Sequence, residues 1–235
     1  MDFLINKDEV LVKVTDVLSD KFSENGFALK KNIFEKIISP QKKYQYIIDI
    51  KRKFSSNLLH LTLRVLDKNI KGGSNAILKK ALMDKEMKFP ENWAQKDIEY
   101  SVNGRTKDYT IAGLTDWRVF KKPDETLENF NKRFSIWLTN YFNEIEEIED
   151  WKGQLLTSID FSKKWFEQYD NDEKYRENII KNTVYESLYL LKLDNRIDCL
   201  EKKYQECMLE FTKKIKGWDN RDLELKLYYK YLMEN

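Results

Sequence analysis

The chain has 235 residues, of which 41% are hydrophobic, 14% aromatic and 35% charged, with a net charge of +2. A chain of this length buries roughly 70% of the surface it exposes when unfolded, so it needs no covalent staple, and its apolar and aromatic content excludes a disordered polymer. The near-neutral total hides a split: residues 1–120 carry 22 Lys and Arg against 16 Asp and Glu, and residues 121–235 carry 20 against 24.

The first predicted element is a helix. Asn6 and Glu9 have the spacing of a capping box, Val10, Val14, Val17, Leu18 and Phe22 mark one face, and Gly26 supplies a left-handed stop. Strand-like alternation follows. Phe27, Leu29, Ile33 and Ile37 share one phase over residues 27–38; Tyr44, Tyr46, Ile48, Ile50 and Phe54 share another. Leu59, Leu61, Leu63 and Val65 form a third run. Pro40-Gln41-Lys42 and Ser55-Ser56-Asn57 are short enough to make these an antiparallel meander. Gly72-Gly73-Ser74-Asn75 reads as a flexible loop before a helix over 75–87. Asn103-Gly104, between Ile98–Val102 and Tyr109–Ile111, reads as a hairpin turn, because both residues tolerate positive φ. Trp117–Phe120 is expected to be a last short strand.

Beyond Pro123 and Asp124 the period changes from two to between three and four. Leu127, Phe130, Phe134, Trp137, Leu138, Tyr141, Ile145 and Ile148 keep helical spacing, which predicts one long helix. Further helices are expected over 161–169, 174–192, 195–216 and 220–233. In the 195–216 helix Ile197, Leu200, Tyr204, Cys207, Met208, Phe211 and Ile215 form the apolar stripe, and Gly217 ends it. No alanine follows Ala112 and no 34-residue self-similarity is found, which argues against a helical solenoid. The fold class is therefore α+β: an antiparallel sheet domain over 1–122 and an aromatic-rich helical domain over 123–235, able to form one continuous fold.

Several chemistries are excluded. Cys199 and Cys207 lie eight positions apart in one predicted helix, about 12 Å along its axis, too far for a disulfide. With one histidine, His60, they cannot make a structural zinc site of the usual kinds. His60 sits on the polar face of its strand with no nucleophile in a recognisable setting. No Gly-x-Gly-x-x-Gly or phosphate loop occurs, so no cofactor is expected. The charged N-terminus and the lack of ~18 consecutive apolar residues lead to the expectation of a soluble, cytoplasmic protein.

Three binding or catalytic arrangements remain. Asp49 and Lys51, two apart on a polar strand face, with Glu35 on the strand before, have the residue types of a Mg²⁺-dependent nuclease, although Asp-x-Lys arises by chance in a chain this rich in both. Lys42-Lys43, Lys51-Arg52-Lys53, Lys79-Lys80 and Lys121-Lys122, with Tyr44, Tyr46 and Trp117, could track a nucleic-acid backbone, but the tyrosines share the core phase of their strand. Glu144, Glu147, Glu149 and Asp150, with Glu146 among them, fall at the end of the expected long helix, where they would oppose its dipole. A locally unfavourable choice of this kind points to a basic partner.

The order of features has a parallel. An N-terminal helix ends in Asn25-Gly26-Phe27, strands follow through Tyr44-Gln45-Tyr46-Ile47-Ile48-Asp49-Ile50, and Trp117-Arg118-Val119-Phe120 precedes Asp124-Glu125-Thr126-Leu127. Over residues 5–155 this resembles small bacterial α+β domains of the domain-of-unknown-function families, some of them regarded as toxin-immunity proteins. The resemblance implies a non-enzymatic protein that masks a partner, and it supplies no catalytic residue. Together these readings favour a protein-binding factor acting through Glu144, Glu147, Glu149 and Asp150, with the nuclease and nucleic-acid readings as alternatives.

Overall fold

A computed structural model describes residues 7–53, 56–135, 141–212 and 220–234. The architecture is α+β, with a five-stranded antiparallel sheet in the order β1-β2-β3-β4-β5. The chain groups into two units that interleave in sequence: Met1–Leu66 with Ala112–Asp170, and Asp67–Ile111 with Asn171–Asn235. It passes between them three times, where the sequence reading places a single boundary near 122. Counted by unit the charge split disappears, since the first carries 20 basic and 20 acidic residues and the second 22 and 20. The basic and acidic halves of the sequence are not two bodies of opposite charge.

In the first unit, α1 (Lys7–Glu24) buries Val10, Val14, Leu18 and Phe22. Asn6 lies outside the described residues, and Gly26 takes φ +78° at the helix stop. The expected run over 27–38 is two strands, β1 (Ala28–Lys30) and β2 (Ile33–Ile37), because the backbone reverses at Lys31, φ +59°. β1 pairs antiparallel with β2, and β2 with β3 (Lys42–Lys53) in the register Phe34↔Tyr46 and Glu35↔Gln45. Phe54 and Ser55 fall outside the described residues. β4 (Ser56–Asp67) buries Leu59, Leu61, Leu63 and Val65, and the last strand is β5 (Thr110–Leu114).

The phase of these strands decides what lies over the sheet. The inward residues of β3, Tyr44, Tyr46 and Ile48, are buried with Phe22 of α1 and with α5 (Trp151–Glu167). Phe22 stacks on Phe34 at 4.4 Å and meets Tyr46 edge-on at 4.7 Å, while Tyr44 stacks on Phe166 at 4.6 Å. Such pairs contribute about 0.5–1.5 kcal/mol each beyond the area they bury. The buried Tyr46 hydroxyl is satisfied by Ser158 Oγ at 2.7 Å. Residues 117–120 form a 3-10 turn rather than a strand. Asp116 caps the turn by accepting from the Arg118 amide at 3.1 Å, and the Trp117 indole N–H donates to the Leu61 carbonyl at 3.0 Å, taking an acceptor that a continuing strand would use.

The long helix expected from 124 onward breaks up. Its first part is α4 (Leu127–Arg133), and Phe142 instead pairs with Asn57 in an isolated antiparallel bridge. Ile145–Glu147 is a single 3-10 turn, and Trp137 and Leu138 lie outside the described residues. Of the expected face, Phe130, Phe134, Ile145 and Ile148 are buried but Leu127 and Tyr141 are exposed, and Phe142, outside that spacing, is buried in place of Tyr141, so the spacing marks the core only in part.

In the second unit, α2 (Ile70–Leu82) includes Gly72, Gly73, Ser74 and Asn75, which correct the expectation of a loop there. These glycines are small because neighbours come close: a Cβ on Gly73 would run into the Tyr189 phenol, and one on Gly72 would touch the Tyr109 ring. Asn103-Gly104 is no hairpin either, but lies inside α3 (Gln95–Thr106). Val102 of this helix is buried among Leu78, Leu82 and Leu225, and tertiary burial overrides the turn preference. The expected helix 174–192 is two, α6 (Asp172–Asn182) and α7 (Tyr185–Leu193). Between them the backbone at Thr183 is extended. α8 (Ile197–Phe211) and α9 (Arg221–Glu234) complete the unit, with Ile215 and Gly217 outside the described residues. Glu224, 1% exposed, is forked by Arg105 at 2.6 and 2.8 Å and receives the Tyr185 hydroxyl.

Candidate partner-binding surface

The segment from Tyr141 to Trp151 is built from two alternating sets of residues. Ile145, Ile148 and Trp151 are buried, while Glu144, Glu146, Glu147, Glu149 and Asp150 are exposed. Apolar anchors every third position hold an otherwise irregular stretch against the core and leave its carboxylates in solvent.

Two of the carboxylates also shape the backbone. Glu147 accepts from the Asn143 and Glu144 amides, both at 3.3 Å, which closes the 3-10 turn. Asp150 takes φ +47° and caps α5, its Oδ1 accepting from the Gly153 amide at 3.3 Å. A Cβ at residue 153 would push that carboxylate aside, so Gly153 leaves room for the cap. Behind the segment the buried Gln154 donates to the Glu149 carbonyl at 2.8 Å and to Ser135 Oγ at 3.0 Å.

This geometry corrects the electrostatic reading of the acidic run. The residues do not sit at a helix C-terminus in opposition to the dipole; they precede the N-terminus of α5, where negative charge is favoured. Asp150 therefore has a structural reason to be acidic. Glu146 is engaged as well: it receives Lys13 at 2.7 Å, which holds its carboxyl below the usual range and raises the Lys13 ammonium. Glu149 is the exposed carboxylate for which this local structure gives no role, while Glu144 stands at the N-terminal end of the 3-10 turn and adds to the negative field that raises Lys13.

Beside them lies an open hollow of about 610 Å³ bordered by Lys132, Ser135, Tyr141, Phe142, Glu147 and Glu149. Tyr141, 45% exposed, supplies an aromatic wall. Lys132, Ser135 and the wall role of Tyr141 are not readable in the sequence, because the chain brings them to the acidic segment by breaking the expected helix.

The other candidate carboxylates are not brought together. Glu35 stands opposite Gln45, and Asp49 lies four residues further along β3, about 13 Å at strand spacing. Glu35 is already committed: Lys30 at 3.0 Å, Lys43 at 2.9 Å and Gln45 at 3.0 Å all donate to it. Burial pushes its carboxyl up, but these donors outweigh burial and hold it at about 2. Asp49 pairs with Lys51 at 3.6 Å, both more than half exposed, and borders a separate hollow of about 260 Å³ with Lys7, Asp8, Lys31 and Asn32. Among the described residues no group of three or more His, Cys, Asp and Glu side chains is placed to hold a metal ion. His60 is half-buried on β4, Cys199 is exposed and Cys207 buried, and neither cysteine is in a disulfide.

No helix among the described residues is long and apolar enough to cross a membrane. No protein-family model, curated protein or solved structure matches the chain.

Proposed function

We propose that this protein is a non-enzymatic binding factor that masks a basic protein surface, in the manner of an immunity or defence-accessory protein, using the acidic segment 144–150. The observation that carries the reading is the division of labour within that segment. Buried Ile145, Ile148 and Trp151 fix the backbone, so exposed Glu144 and Glu149 are presented from a rigid support beside the hollow lined by Tyr141. An anchored backbone spares the cost of ordering the segment on binding, and the exposed carboxylates steer a basic partner into place. Tyr141 offers the amphipathic contact area that interfaces favour.

Glu147 and Asp150 belong to the same surface, but their backbone bonds make them poor test positions. The clean test reverses Glu144 and Glu149, comparing wild type with the Glu144→Lys/Glu149→Lys variant for binding to poly-L-lysine and for partners captured from a bacterial lysate. Loss of about tenfold or more in affinity at low salt, with an unchanged melting temperature, is expected. Retention of every captured partner at unchanged affinity by the reversed variant would overturn the proposal.

A further inference from the structure

The two edges of the sheet are protected very differently. β1 is three residues long, carries Lys30 and is followed by Lys31, the short and charged design that blocks strand addition. β5 is five residues long and lies in the uncharged run Tyr109-Thr110-Ile111-Ala112-Gly113-Leu114-Thr115. Among the described residues no strand pairs with its outer side. None of its residues is fully buried, and Gly113 is exposed.

The direction of its backbone groups follows from two bonds. The Asp67 amide donates to the Tyr109 carbonyl at 3.0 Å, so the polar backbone groups of residues 109, 111 and 113 point toward β4. Those of 110, 112 and 114 point away. Consistent with this, the Thr110 amide is taken by Asp108 Oδ1 at 2.9 Å rather than by the ladder. Ala112 and Leu114 are left with outward amides and carbonyls.

We infer that β5 pairs antiparallel with β5 of a second copy of this chain, extending the sheet across a two-fold axis at Ala112. A charged edge repels its own copy; an edge without charge does not, and the antiparallel two-fold arrangement makes it self-complementary. In this register Ala112 exchanges both backbone bonds with Ala112 of the second copy, and each Leu114 amide donates to the opposite Thr110 carbonyl. Gly113 then faces Ile111 of the second copy, and the missing side chain makes room for the isoleucine. An edge this short buries less than the ~1,000 Å² of a tight interface, so the dimer is weak and concentration-dependent.

Sedimentation velocity from about 1 to about 300 µM tests this directly, since that range reaches the micromolar regime of weak self-association. Wild type should pass from monomer to dimer. Ala112→Lys and Ala112→Glu should each remain monomeric, because like charges then stand directly opposite across the axis, and an equimolar mixture of the two should dimerise again. In a Cys199→Ser background, Ala112→Cys should form a covalent dimer on mild oxidation, since Cα atoms of a hydrogen-bonded pair lie about 5.5 Å apart, within disulfide reach. This variant also decides the question if the charged ones fail to fold. A wild type that stays monomeric throughout, an Ala112→Lys variant that dimerises like wild type, or an Ala112→Cys variant that does not cross-link would overturn the inference.

Discussion

The phenol of Tyr189 occupies the space beside Gly73 where any other residue would place its Cβ. In helix α2 Gly73 faces Tyr189 of α7 and Gly72 faces the Tyr109 ring, so a residue pair usually unfavourable within a helix becomes a packing device. Gly73→Ala should destabilise the protein by about 1–3 kcal/mol despite the better helix propensity of alanine. Urea denaturation checks the loss. Adding Tyr189→Ala should cost less than the sum of the two single changes, because the clash is then gone.

Glu35 sets an acid limit on the sheet. Its carboxyl is held at about 2, below its ordinary 4.5, so it contributes stability that is fully present above pH 4.5 and is lost as pH falls toward 2. Melting temperature followed across that window should drop less steeply for Glu35→Gln than for wild type. At pH 7 the same change should cost about 1 kcal/mol, since it removes a charged acceptor from two lysines.

Arg105 and Glu224 form an ion pair whose carboxylate is fully buried in the second unit. Arg105→Leu leaves the carboxylate, 1% exposed, with the Tyr185 hydroxyl but without its cation. A loss of about 2–4 kcal/mol is expected in chemical denaturation, larger than for any exposed pair such as Lys226–Asp222.

Lys13 partly neutralises the acidic segment through Glu146. Both side chains are close to half exposed, so Lys13→Ala should leave the melting temperature essentially unchanged. Association with a basic probe should nonetheless quicken by roughly twofold at low salt, with the difference vanishing near 1 M salt. Stopped-flow fluorescence reads both values.

The sequence shows most clearly the elements in which one face is buried. Tyr44, Tyr46 and Ile48, and Leu59 through Val65, alternate because the sheet has an inside and an outside, and burial follows that alternation residue by residue. The reading fails where tertiary contact decides. Asn103-Gly104 carries a strong local turn preference, yet Val102 next to it is buried and holds the segment helical. Phe130, Phe134 and Ile145 keep helical spacing, yet they reach the core from a helix, its cap and a 3-10 turn. The candidate surface shares this history. Its acidic residues are visible as a run, but their place before α5, and the approach of Lys132, Ser135 and Tyr141, depend on a break that apolar periodicity cannot show.

Interleaving of the two units limits how the gene can be cut. Residues 67–111 interrupt the first unit as an insertion, and their packing partners are supplied only after residue 171. A fragment ending at 122 would therefore strand α2 and α3 without α7 and α9, and would deprive the sheet of α5 as well. Because α7 and α9, which pack on α2, come after residue 171, the nascent chain leaves the apolar face of α2 open until they are made. That exposure makes co-translational chaperone contact, rather than stepwise domain-by-domain folding, the expected route to the native state.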